Sequence, residues 1–346
     1  HGGVRAGSPA RAILISTGLG DRHVTTTTAS LSGSQRPPGL MTDRIARGVI
    51  WAAGALVLVI LALIAYTMLS EAMPAFRSVG LSYFTSDVWD PAHQRFGTLA
   101  FTYGTVLVSL IAVVLAVPVS IGIALFTTEV APRWLRRPVT YLVDLLAAVP
   151  SVVFGLWGLL VLVPVLPGFY QGWHDLFSGV PVLGDVFDGM PVSGRAFMTA
   201  GIILAVMITP IITSIARETF ATVPQPLKDA AHALGATRWE MIRASVLPHS
   251  RGGVTAGVLI GLGRALGETI AVALVIGSSP QISAKLFGSG DAAASVIALQ
   301  WGEATDGTYR AALIGLGVVL FAVTLVIGVL ARVIVARADR KTAGSA

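Results

Sequence analysis

Cysteine is missing from all 346 residues, which removes disulfides, thiolate metal sites and cysteine nucleophiles together. Charge is scarce too: 12% of residues are charged and 54% hydrophobic, where a soluble domain carries roughly a quarter charged. That balance predicts an all-α, polytopic membrane protein. The net charge of +6 is small for the length and unevenly placed. Such unevenness speaks to orientation in a bilayer and excludes a nucleic-acid partner as its explanation. No GxxxxGK[ST] run occurs, so no phosphate loop of an ATPase is present, and no catalytic constellation or cofactor site is expected. The six histidines lie in polar segments without metal-ligand spacing.

Residues 1–46 are a different material, polar and rich in Gly, Ser and Thr, with Thr25 to Thr28 in a row. They lack the charged start, apolar core and small-residue cleavage site of a signal peptide, and a disordered cytoplasmic tail is expected. Met41 opens MTDRIARG, a candidate start.

A membrane span needs roughly 20 mostly apolar residues. Six such runs are expected: 48–69, one inside 95–129, 137–166, 196–216, 252–277 and 311–331. Most of the 24 lysines and arginines then fall on the side of the termini. Arg77, Arg95, Arg195, Lys285 and Arg310 fall on the other, and Arg264 within the membrane. The positive-inside rule gives N-in, C-in. Prolines 118, 150, 164 and 210 are expected as kinks, and Asp144 as an acid inside the third span, hydrogen-bonded near the cytoplasmic boundary.

The fifth run, RGGVTAGVLIGLGRALGETIAVALVIG, carries Arg264 and Glu268 near its midpoint. On a continuous helix Gly253, Gly257, Gly261, Arg264 and Glu268 share a face roughly 80° wide. A charge at the bilayer centre costs about 2.5–3.5 kcal/mol on insertion scales, so that face is internal. Two readings stand. Arg264 and Glu268, at i and i+4, neutralise each other and set packing, or Arg264 faces a translocation route and holds an oxyanion weakly, with Glu268 limiting its grip. The glycine series lets another helix approach closely, either within this chain or at a seam with a second permease.

Between the fourth and fifth runs, residues 217–250 are too organised for a linker. Pro224 and Pro226 start a helix, Asp229 lies in its first turn, and Gly235 stops it. A second helix is expected from Thr237 as N-cap to Pro248. Ala230 and Ala231 give the first helix a smooth face, fit for a protein partner or for lipid headgroups. His232 and His249 flank this segment in ordinary surface roles.

DAAHALG, followed thirteen residues after Gly235 by the Pro248 of VLP, resembles the coupling loop of ABC-importer permeases. That loop is written EAA, three residues, G, nine residues, I, one residue, LP. Asp229 stands for Glu, and Ser245 where Ile is usual; Ala230, Ala231, Gly235, Leu247 and Pro248 match. VDLLAAVPSVVFGLWGL (143–159), FGTLAFTYGTV (96–106), AVPVSIGIAL (116–125) and GLGRALGETIAVALVIG (261–277) resemble the phosphate-specific, Pst-type permeases, over roughly 48–335. RALGETIAV and the long first external loop are similar to the PstC subunit more than to PstA.

The resemblance implies a type I ABC-importer permease fold in the cell membrane, and import of inorganic phosphate. Its partners would be a PstA-like permease, a PstB-like ATPase dimer that binds the ATP, and an external phosphate-binding protein. It divides the chain into a tail (1–46), a first helix and external loop (47–96), a core permease (97–335) and a C-terminal tail (336–346). Import of molybdate or sulfate, and an ATPase-independent secondary transporter, are the alternatives. The docking segment argues against the second.

Overall fold

The computed structural model describes residues 40–180, 183–187 and 193–343, with side chains over 44–180, 184–187 and 193–337. Most of the expected N-terminal tail therefore lies outside the described residues. The chain forms two compact units, His1–Leu58 and Val59–Ala346. Of the first, the described part is the start of helix α1 (Leu40–Val79), exposed at every position from 44 to 58. The helix thus begins inside the segment expected as tail.

In the second unit, α1 stays exposed through Thr67, and Ala72 and Ala75 are its fully buried residues. A helix apolar on all sides and unpacked through most of its length is suited to lipid. A tight hairpin follows, β1 (Trp89–Asp90) pairing antiparallel with β2 (Arg95–Phe96). Then come α2 (Leu99–Leu125), α3 (Arg133–Ala148), α4 (Ser151–Phe177) and α5 (Phe197–Ala221). They are followed by α6 (Gln225–Ala233), α7 (238–266), α8 (Ile270–Val275), α9 (Ala293–Gln300) and α10 (Gly307–Ala343).

The centre of the unit is the pair α2 and α5. Gly104, Val108, Ala112, Ala116, Ser120 and Ala124 recur every four residues on α2, and all are buried. A ridge of small side chains at i, i+4 lets a second helix approach closely. Ser120 Oγ uses that proximity to donate to the Thr209 carbonyl of α5 at 3.1 Å. Phe154 and Val163 of α4, Ala265 of α7 and Val272 and Val275 of α8 complete the same core. At the hairpin end, Trp89 Nε1 and the Tyr309 hydroxyl both donate to Gln300 Oε1 at 2.9 Å, tying β1 to α9 and α10.

Among the described residues, five helices are long and apolar enough to cross a membrane, against six expected: Arg44–Val79, Leu99–Val130, Ser151–Phe177, Phe197–Ala221 and Gly307–Arg337. Two expected spans are cut. The third was drawn over 137–166, but Pro150 forces Val149 into extended backbone (ψ 129°), so α3 stops at Ala148. The crossing helix starts at Ser151. Asp144 belongs to α3, which carries three arginines and has no buried residue, and so is not inside a span. Its carboxylate accepts from Arg217 Nη2 at 3.3 Å. The other cut falls between α7 and α8.

Candidate docking segment and interrupted helix

The candidate docking segment is built from local rules. Pro224, in extended backbone, opens α6, and Gln225 Nε2 donates to Asp229 Oδ1 at 2.9 Å one turn later. Asp229 thus lies past the first turn in which it was expected, because the helix starts ahead of Pro226. Gly235 turns the chain with φ +81°, in the left-handed region that side chains with a Cβ avoid. Thr237 then caps the next helix. Its N–H donates to Glu240 Oε2 at 2.8 Å, and the Glu240 N–H returns a bond to Thr237 Oγ1. The Thr237 side-chain hydrogen bond, then its backbone N–H, hold the Glu240 carboxyl below the usual carboxylate range.

Pro248 does not end this helix, contrary to expectation. Arg238–Met241 runs through a π-turn, Ile242–Val246, into Leu247–Leu266, and the wide turn, with the Leu247 N–H on the Ile242 carbonyl, accommodates Pro248, which has no N–H to give. Ser245, at the place where Ile is usual, donates to the Leu227 carbonyl at 3.5 Å.

Of the residues singled out in the sequence, Asp229 and Ala230 are exposed and Gly235 faces open space. Ala231 and Leu247 turn inward, against Ala124, Phe220, Met241, Ile242 and Val246. The two alanines therefore do different work. Leu227, Ala230 and Leu234 form an outward apolar stripe, continued by Trp239; Leu234 is 90% exposed. The 227, 230, 234 spacing was readable as an i, i+3, i+7 face. The ion pair of Lys228 Nζ with Glu129 Oε1, 2.6 Å apart, had no sequence signal at all.

The glycine series packs within the chain. A Cβ on Gly253 would strike the Thr219 side chain of α5; on Gly257 it would meet Ile215 at 3.1 Å, and on Gly261 Ile212 at 2.9 Å. These glycines serve the α5–α7 contact.

Arg264 and Glu268 are not brought together. α7 ends at Leu266, Gly267 closes it with its N–H on the Gly263 carbonyl at 3.3 Å, and α8 begins at Ile270. Glu268 lies in the break, where its Oε1 accepts the Ala271 N–H at 3.4 Å. Arg264 is exposed and, among the described residues, has no hydrogen-bond or ion-pair partner. Intrahelical neutralisation fails because glycine and a capping carboxylate end the helix first. A cleft of about 310 Å³ lies between α7 and α10, walled by Leu259, Leu262, Leu266, Phe321, Leu325 and Arg332 among others. Neither Arg264 nor Glu268 lines it. No group of three His, Asp or Glu able to hold a metal occurs among the described residues.

A bacterial alginate ABC transporter, solved with a pentasaccharide-bound periplasmic protein, aligns over 87% of this chain and 98% of its own at TM-score 0.57 and 17% identity. A second structure of an alginate-importing ABC transporter gives TM-score 0.53 at 19% identity, over 86% and 98% of the two chains. At such identities the likeness is one of fold. Sequence relatives are nearer. The phosphate transport system permease protein PstC of Xylella fastidiosa is 47% identical over 291 residues, 84% of this chain and 89% of its own. That of Mesorhizobium japonicum is 43% identical over 303 residues, 87% and 92% of the two chains. PstC 2 of Mycobacterium tuberculosis is 42% identical over 307, 86% and 93%. Residues 116–344 match the family described as binding-protein-dependent transport system inner membrane component. The docking turn and the interrupted helix both fall inside that match, and the chain belongs to this family, in its PstC branch.

Proposed function

We propose that the chain is the channel-forming, non-catalytic subunit of an ABC importer that carries inorganic phosphate across the cell membrane, driven by a separate ATPase. The observation that carries the motor reading is the outward stripe Leu227, Ala230, Leu234 and Trp239, on a segment whose base is packed into the helix core. Apolar side chains held out of the core on a capped, braced turn suit a protein groove better than water. Phosphate as the cargo is supported by the relatives, which are named phosphate transport system permease proteins.

In this reading α1, α2, α4, α5 and α10 cross the membrane, the interrupted α7–α8 makes the sixth crossing, and both termini are cytoplasmic. Backbone that leaves the helix at membrane depth is tolerated where it is buried in protein or lines a water-filled passage. With Glu268 engaged at the start of α8, the Arg264 guanidinium is available to a passing oxyanion. Closure of the ATPase pair on ATP pushes 225–246, tilts α5 and α7, and opens the route toward an external phosphate-binding protein. A second, PstA-like permease completes the channel.

The test is reconstitution with the ATPase, the second permease and the cognate binding protein in vesicles. Phosphate uptake that depends on ATP and exceeds sulfate and molybdate uptake is expected. Recovery of the active transporter without any ATPase subunit would overturn the reading.

A further inference from the structure

The pair Lys228–Glu129 joins elements 99 residues apart in sequence. Its side chains are 12% and 8% exposed, whereas Arg217–Asp144 is 19% and 48% exposed. A buried ion pair adds little net stability over an apolar contact of the same volume, because both charges lose their water. What it adds is direction. A charge-assisted bond of 2.6 Å fixes the register of two elements that an apolar contact would let slide.

Helix α6 is joined by the chain itself to α5 before it and α7 after it. It has no such connection to α2; Ala231 shares an apolar cluster with Ala124, and Glu129 adds a charged link from the end of α2. Glu129 lies in the π-turn Phe126–Val130 that closes α2. That turn is held on its own terms. Thr127 Oγ1 donates to the Ile123 carbonyl at 2.8 Å, Thr128 Oγ1 to Ala124 at 2.9 Å, and Arg136 Nη2 to the Thr128 carbonyl at 2.6 Å. Across α6, another π-turn, Ile242–Val246, packs its buried Ile242 and Val246 in one cluster with Ala124 of α2 and Phe220 of α5. π-Turns inside α-helices concentrate at functional places, and here two of them flank the docking helix. One turn of α6 divides the labour, with Asp229 turned outward and Lys228 inward.

We infer that Lys228 and Glu129 are positioning residues that clamp the docking helix to the end of α2, so that a push on α6 moves α2 together with α5 and α7. The inference rests on the motor reading above. Because α2 and α5 share the small-residue ridge, the clamp closes a rigid triangle: α6 to α5 through the chain, α5 to α2 through the ridge, and α2 back to α6 through the ion pair.

The test uses the whole complex in vesicles, with phosphate uptake and ATP hydrolysis measured side by side. Glu129→Gln and Lys228→Met should each raise the ATP hydrolysed per phosphate moved by about five-fold or more, the lower end of ordinary coupling between sites. The exchange Glu129→Lys with Lys228→Glu should recover at least part of the loss. Single variants that assemble and keep the wild-type ratio, or an exchange no better than the singles, would overturn the clamp. If the singles fail to assemble, Glu129→Cys with Lys228→Cys in the cysteine-free chain can be bridged by a reversible dithiol reagent. Coupled uptake that survives bridging supports the clamp; uptake lost on bridging and restored by reduction overturns it. A wild-type complex with no ATP-driven phosphate uptake would instead defeat the motor reading, and the clamp with it.

Discussion

Glu268 Oε1 accepts the N–H of Ala271 at 3.4 Å, and so belongs to the start of α8, while Arg264, four residues earlier, belongs to the end of α7. The carboxylate is engaged with backbone and the guanidinium is left exposed. The two charges therefore have different surroundings, one held on backbone and one at the exposed end of α7.

The separation predicts different phenotypes. Arg264→Gln should leave assembly and ATP hydrolysis intact and lower phosphate uptake at least about ten-fold, a loss of about 1.4 kcal/mol in the transported state. Glu268→Gln keeps an acceptor for Ala271 and should be mild. Glu268→Ala removes it and should cost about 0.5–2 kcal/mol of thermal stability, as lost caps do. Uptake and melting measured together check both. Failed assembly of Arg264→Gln would assign that residue to packing.

Gly235 tests the docking turn. Its φ of +81° forbids a β-branched residue, although nothing lies within 4 Å of where a Cβ would stand. The effect of Gly235→Val is then pure backbone strain, about 1–2 kcal/mol, placed beside the exposed Leu234. Hydrolysis without uptake is expected, and Gly235→Asn, which tolerates this conformation, should stay coupled. Normal uptake by Gly235→Val would exclude the turn from coupling.

Two glycines that look alike in sequence should differ in stability. A Cβ on Gly261 meets Cγ1 and Cδ1 of the buried Ile212 at 2.9 Å, a side chain that can re-pack, so Gly261→Ala should cost about 1 kcal/mol, the low end of overpacking. A Cβ on Gly104 would run into the backbone carbonyl of Asp291, which cannot swing aside. Gly104→Ala should cost about 1–3 kcal/mol or more, read as a lower melting temperature in detergent.

Asp291 gives a pH dependence. It is buried ahead of α9, outside the crossing helices, and burial pushes its carboxyl up from 3.8 to about 6. Hydrogen bonds from the Ala292 N–H and the Ser295 hydroxyl oppose the rise. The folded state holds this proton more tightly than the unfolded chain. Its contribution to stability is therefore complete below pH 3.8 and is lost as pH rises through 6. The span is on the order of 2–3 kcal/mol. Asp291→Asn, which keeps an acceptor, should gain stability relative to wild type as pH rises across that window. Parallel melting curves for the two proteins from pH 4 to 7.5 would refute it.

Legibility followed the range of the forces. Thr237 with Glu240, Gly235 and the start of α6 obey rules that act over four residues, and the sequence displays them. The glycine spacing announced a close helix contact, but only the Ile212 and Thr219 side chains reveal that α5 fills it. The break at Gly267 was hidden because the run 252–277 is apolar enough for a continuous helix; a backbone interruption leaves hydropathy untouched. Pro150 was read as a kink, and the three arginines of α3, which argued for a separate helix, went unused. Glu129 and Lys228 are joined by tertiary structure alone.

Leu234 carries a consequence for the life of the subunit. A leucine 90% exposed at a polar turn is an unfinished surface, which the docking groove of the proposed motor would seal. A permease synthesised ahead of its motor would offer that side chain to chaperones and proteases first. Its lifetime in the membrane would then track the supply of motor, and balanced subunit numbers would follow from turnover alone.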